Sequence, residues 1–400
     1  MNRSTRARML TGTALALTVS MALTACGGSD DASSDAEPQQ QTKSSGAAAV
    51  GNPLVASYDG GLYVLDGETL KLAKTIELPG FNRVNPAGDE DHVVISTDSG
   101  FRVFDAARQT FTDAEFKGSK PGHVVRHGGR TVLFTDGTGE AHVFDPADLA
   151  GGKQPEGRTF TSAEPHHGVA IELADGELVT TLGTEEKRTG AIVLDKDDKE
   201  IARAENCPGV HGEAAAEGEV VGLGCEDGVL LYKDGEFTKV DAPGDYARTG
   251  NQAGSDASPI LLGDFKTDPE AELERPTRIS LIDTRTAKMK LVDLGTSYSF
   301  RSLARGPHGE ALVLGTNGVL HVIDPETGKV DRKIEAVGDW TEPLDWQQPR
   351  PTLFVRDHTA YVSEPGKRQV HAFDLDSGEK LTSVTLPKGT NELSGTVAGH

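Results

Sequence analysis

Short apolar runs that end on or beside an aspartate recur eight times along the chain: LYVLD at 62–66, FRVFD at 101–105, AHVFD at 141–145, AIVLD at 191–195, VLLYKD at 229–234, ISLID at 279–283, LHVID at 320–324 and VHAFD at 370–374. Successive aspartates are 39 to 50 residues apart. Between them lie runs such as VVIST at 93–97 and TVLFT at 131–135, rich in the β-branched and aromatic residues that pack well on a pleated surface. Pairs that tolerate positive φ punctuate these runs: Asp66-Gly67, Asp136-Gly137, Asp175-Gly176, Asp227-Gly228, Asp234-Gly235 and Asn317-Gly318. Such pairs close tight hairpins. No stretch holds a helical period. A strand-and-turn unit repeated at this spacing predicts an all-β chain folded as a β-propeller.

Each repeat reads as four strands, placing blades near 81–116, 122–161, 166–204, 210–240, 246–294, 299–335 and 340–386. The segment 54–78 supplies only three strands. The stretch 393–398 is expected to add its missing innermost strand, closing the ring and removing an open sheet edge. Eight blades are therefore expected, or seven if one repeat is degenerate. His142, His321 and His371 each stand three residues before a blade's aspartate, a fixed repeat position that points to a structural or solvent-facing role. An acidic insertion at 264–276, holding Asp264, Asp268, Glu270, Glu272 and Glu274, interrupts one blade. It reads as a solvated loop, with a docking or lid loop as the alternative.

The start of the chain does not belong to this pattern. Arg3, Arg6 and Arg8 precede an apolar run at 10–22, and Leu23-Thr24-Ala25 then sets small residues before Cys26. Residues 1–25 read as a lipoprotein signal peptide, with Cys26 the expected lipidation site; the run is too short to span a membrane as a mature helix. Residues 26–52 are rich in Ser, Asp, Gln and Ala and read as a disordered tether, leaving 53–400 for the propeller. This predicts an extracytoplasmic protein of the cell envelope, touching the membrane only through its lipid anchor.

The formal net charge is −22, and loss of the leader arginines makes the rest more acidic still. No cluster of Lys and Arg interrupts it, so nucleic acid is excluded as a partner and cationic ligands are favoured. A monomer is expected. Beyond Cys26 only Cys207 and Cys225 remain. An exported pair is expected to form a disulfide, with a cysteine–metal site as the rival reading.

Three of the twelve histidines share a phase. His123, His167 and His211 each follow a proline by one to three residues, and each is expected to open an innermost strand. They are spaced 44 and 44 residues apart, one blade each time. Innermost strands run along the central channel of a propeller, so these starts should converge near one mouth. Three neutral imidazoles suit Zn²⁺, which accepts four ligands. The fourth position falls to water, His166 or a carboxylate, with Glu213 favoured because it lies two residues after His211 on the same strand. Glycines beside each histidine allow close backbone approach.

Catalysis has weaker support. Neither G-x-S-x-G nor H-E-x-x-H occurs. A three-histidine site with an open position could activate water, with Glu213 as base. A quinoprotein would want regular tryptophans, and the chain has only Trp340 and Trp346.

The Pro165-His166-His167-Gly168 run and the block CPGVHGEA…GCEDGVL at 207–230 resemble the AztD-type zinc chaperones, exported β-propellers that pass zinc to the solute-binding protein of an ABC importer. The resemblance implies that His123, His167 and His211 are zinc ligands, that Cys207 and Cys225 are disulfide-bonded, and that the protein is a non-enzymatic metal carrier. A propeller enzyme (a metal-assisted hydrolase or quinoprotein) and a metal-free surface scaffold are the competing readings.

Overall fold

The computed structural model describes residues 49–397. The expected signal peptide, Cys26, the tether as far as residue 48, and Ala398 to His400 lie outside the described residues. Eight four-stranded antiparallel sheets make up the described chain, so the eight-bladed reading holds. Seven of them take their strands consecutively from the sequence. The exception is the first blade, where Glu392–Gly395 pairs with Leu54–Tyr58, followed outward by Gly61–Leu65 and Leu72–Glu77. The C-terminal strand thus closes the ring, as the three-strand deficit near the start predicts.

Blade boundaries differ from the expected ones mainly at the last repeat. Its innermost strand is Leu353–Arg356, not a strand near 340. The interval holds Pro343, Pro349 and Pro351, and proline cannot donate to a strand ladder.

Burial within each blade follows from its neighbours. Second strands such as Val220–Cys225 are buried at every position, because blades pack on both of their faces. Outermost strands such as Lys380–Thr385 alternate exposed and partly buried residues, as a rim strand with one wet face must. The closing strand also carries charge. Glu392 is buried, accepts from the Val84 backbone N–H at 3.0 Å, and pairs with Arg83 at 3.2 Å and with Arg301. Burial alone would raise its pKa, but Arg301 and Arg83 outweigh burial and hold it below the usual carboxylate range.

Most apolar clusters join two adjacent blades. One is larger and joins the third, fourth and fifth: Val132, Phe134, Val169, Val193, Val221 and Tyr232 belong to it, together with Cys207 and Cys225. The three phased histidines come from these same three blades, so one packed body carries them all.

His321 and His371 are buried, and His142 is partly so. Burial lowers all three pKa values, which fits the structural role expected of this repeat position. The acidic insertion departs from expectation at its first residue. Asp264 ends the strand Ile260–Asp264 and is buried; it is not part of a solvated loop.

Candidate metal centre

Each histidine is presented by the local backbone of an innermost strand or its approach. His123 lies in Pro121–His127, where the register shifts between Pro121 and Val124. His211 opens His211–Ala216, with a second shift between His211 and Glu213. Such bulges bend a strand and re-aim its side chains. His167 differs from expectation, since it lies in the connection three residues ahead of Ala170–Glu172 and not within the strand.

The three rings meet. Centroids are 5.3 Å apart for His123 and His167, 5.5 Å for His123 and His211, and 5.0 Å for His167 and His211. One ligand atom from each lies within 4.8 Å of the other two. The Nε2 atoms of His167 and His211 are 3.0 Å apart; two nitrogens on a tetrahedral zinc ion, at 2.0–2.1 Å from it, would be about 3.3 Å apart.

The outward nitrogens are already engaged. His167 Nδ1 donates to Asp136 Oδ2 at 2.5 Å, and His211 Nδ1 donates to the Gly250 carbonyl at 2.5 Å. Neither acceptor can supply a proton, so the proton sits on Nδ1 and the Nε2 lone pair faces inward. Two lone pairs facing each other at this distance need positive charge between them, either a proton on one ring or a metal ion. His123 is oriented more loosely, with Nδ1 3.6 Å from Glu213 Oε2.

Electrostatics favour the neutral, ligating form of His211. Burial pushes its pKa well below 6.5, and His123, His167 and Arg248 push the same way, against the Gly250 hydrogen bond. His167 keeps 45% of its side chain exposed, so an ion held here is reachable from solvent.

The two other expected ligands are placed differently. His166 is turned away and buried, with Nδ1 2.9 Å from the Glu164 carbonyl, Nε2 3.0 Å from Thr181 Oγ1, and its ring edge-on to Phe134. Both of its nitrogens are committed, so His166 does not join the cluster. Glu213 is at the cluster, but against the Nδ1 of His123 and not among the three converging donors. The bulge after His211 is what separates their directions.

Two glycines have a visible purpose. A Cβ on Gly122 would fall 2.1 Å from Asp136 Oδ1, so the missing side chain makes room for the carboxylate that orients His167. Gly212 has φ +71°, and a Cβ there would come within 2.9 Å of the Gly250 carbonyl oxygen that holds His211.

Sequence reasoning missed Asp136, Gly250 and Asp264. Asp264 accepts from the Gly250 N–H at 2.6 Å, the Asn251 N–H at 3.1 Å and the Asn251 side chain at 3.0 Å, which fixes the carbonyl that faces His211. Asp136 was legible only as half of a hairpin pair. The remaining signal was topological: turns after second strands share a mouth with the starts of innermost strands. Asp136→Ala is expected to weaken zinc binding about 10–100-fold, the usual effect of losing a group that orients a ligating histidine. Chelator competition measures it, and a change under about twofold would remove the orienting role.

The cysteines are joined as a disulfide, Cys207 to Cys225, with Cα atoms 5.0 Å apart. The Cys225 carbonyl accepts from Thr249 N–H at 3.0 Å, and Gly224 pairs with His211. The bridge therefore braces both flanks of His211.

No family model matches the sequence. The sequence is 26% identical over 276 residues to the zinc chaperone AztD of Citrobacter koseri, covering 68% of this chain and 64% of that protein; the alignment thus spans less than two thirds of the curated relative it matches. The structure of apo AztD from Citrobacter koseri matches with a TM-score of 0.73 at 22% identity, covering 86% of this chain and 96% of that one. The crystal structure of Citrobacter koseri AztD gives 0.73 at 21%, covering 86% and 98%. Dihydro-heme d1 dehydrogenase NirN in complex with DHE matches at 0.57 and 13%, covering 86% and 74%, a likeness of fold alone. In sequence and in fold this chain is similar to AztD, and the likeness to the solved AztD structures is that of the β-propeller they share.

Proposed function

We propose that this protein is an extracytoplasmic zinc chaperone, anchored to the membrane through lipidated Cys26, that delivers zinc to the solute-binding protein of an ABC importer. The observation that carries the reading is the convergence of His123, His167 and His211 with the outward nitrogens of two of them already hydrogen-bonded. The curated relative is itself a zinc chaperone, which supports zinc as the cargo. Three imidazoles hold the ion and solvent or an incoming ligand takes the fourth position. Glu213, 3.6 Å from His123 Nδ1, steadies that ring.

The setting suits transfer better than permanent binding. Arg188 donates to the His167 carbonyl at 3.4 Å, and Arg248 bears electrostatically on His211. Guanidinium groups this close oppose a bound cation and limit how tightly it is held. The exposed edge of His167 lets an acceptor's ligand approach before the other two histidines let go. The acidic stretch 268–274 would draw a basic rim on the acceptor and raise the rate of encounter.

The test is a transfer experiment. Zinc-loaded protein is mixed with either a zinc-free solute-binding protein or an equal concentration of chelator. Direct hand-over predicts faster loss of zinc to the binding protein. Equal rates, set by release into water, would contradict it.

A further inference from the structure

A second group of metal-ligating side chains lies away from the centre described above. His308, His358 and Asp376 offer one ligand atom each, all within 4.8 Å of one another. His358 Nδ1 is 2.8 Å from Asp376 Oδ2, and the rings of His308 and His358 are 5.3 Å apart, edge to face. We propose that these three residues form a second binding site for a divalent transition ion of the zinc class, on the mouth of the propeller opposite the first centre.

The topology fixes that placement. His123 and His211 stand at the starts of innermost strands. His308 follows the end of one, Leu303–Arg305, and His358 follows the end of the next, Leu353–Arg356. Asp376 sits in the turn from Gln369–Asp374 to Lys380–Thr385, which in an antiparallel blade faces the same way as the turn at His358. Adjacent blades, the seventh and eighth, therefore share the site.

All three positions are backbone-fixed. Gly309 N–H donates to the Gly306 carbonyl at 3.0 Å and His308 N–H to Glu310 Oε2 at 2.9 Å. Leu375 N–H donates to the His358 carbonyl at 2.8 Å, and Gly378 N–H to the Asp374 carbonyl at 2.8 Å. Binding an ion would order only short side chains, which keeps the entropic cost low. Two imidazoles and one carboxylate are a nitrogen-rich set that selects zinc and its transition-metal neighbours over calcium or magnesium, which want oxygen. His358 and Asp376 keep 48% and 59% of their side chains exposed, so this ion is held more weakly than the first. The protein then carries two ions of unequal affinity.

Zinc titration calorimetry on four proteins tests this: the parent, His308→Ala/His358→Ala, His123→Ala/His167→Ala/His211→Ala, and the combination. The parent should show a tight and a weaker event. The double variant should lose only the weaker one, the triple variant only the tight one, and the combination both. A stoichiometry of one for the parent at saturating zinc, or a weaker event that survives His308→Ala/His358→Ala, would overturn the second site. A tight event that survives the triple variant instead strikes the first centre and leaves this one standing. The turn positions are exposed, so the double variant should melt with the parent.

Discussion

Replacing any one of His123, His167 and His211 with alanine is expected to weaken tight zinc binding about a hundredfold. A structural zinc site contributes about 10–16 kcal/mol over four ligands, so one ligand accounts for roughly 3 kcal/mol. The three losses should be similar, because the rings are near-equidistant. The fold should survive each change, since the side chains reach into the mouth and not into the apolar cluster beneath. Competition against a chelator of known affinity, with far-ultraviolet circular dichroism as control, measures both. His166→Ala is the instructive contrast. It removes a buried ring packed on Phe134 and bonded to Thr181, so it should lower melting temperature while leaving zinc affinity within a few-fold of the parent.

Removing the disulfide should cost stability first and metal affinity second. The bridge closes a loop of 18 residues, for which chain entropy gives about 3 kcal/mol. For a domain of this size, at roughly 2.1 cal/mol/K per residue, that is a drop of about 4 °C in melting temperature. Cys207→Ser/Cys225→Ser should show it in differential scanning calorimetry. The brace on Thr249, next to the Gly250 carbonyl that orients His211, predicts a smaller loss of zinc affinity in the same variant. An unchanged melting temperature would mean that the strand Val220–Cys225 needs no covalent support.

The propeller was legible because its signal is redundant. Eight apolar runs ending in aspartate, spaced by one blade, survive the blurring of any single repeat, and the strand deficit near the start told where the C-terminal strand must go. The phase of the three histidines was legible for the same reason: in a ring, equal spacing in sequence becomes proximity in space. What escaped was anything set by a departure from the repeat. The bulges at His123 and His211 turned Glu213 toward one histidine and away from the cluster centre, and a bulge leaves no periodic trace. His166 and His167 are neighbours in sequence, yet one is buried and one exposed, and only the chain path between two blades decides which. Asp136 and Asp264 looked like turn and loop acids because their partners lie 31 and 14 residues away. His308 and His358 carried no usable pattern, since their meeting depends on turns of two different blades.

The central claim is that one zinc ion sits among His123, His167 and His211. Crystals grown with one equivalent of zinc, with data collected on either side of the zinc absorption edge, test it directly. A single anomalous peak about 2.0–2.1 Å from a ring nitrogen of each of the three histidines is the predicted result. A peak elsewhere on the molecule, or one bonded to fewer than two of these rings, would contradict it.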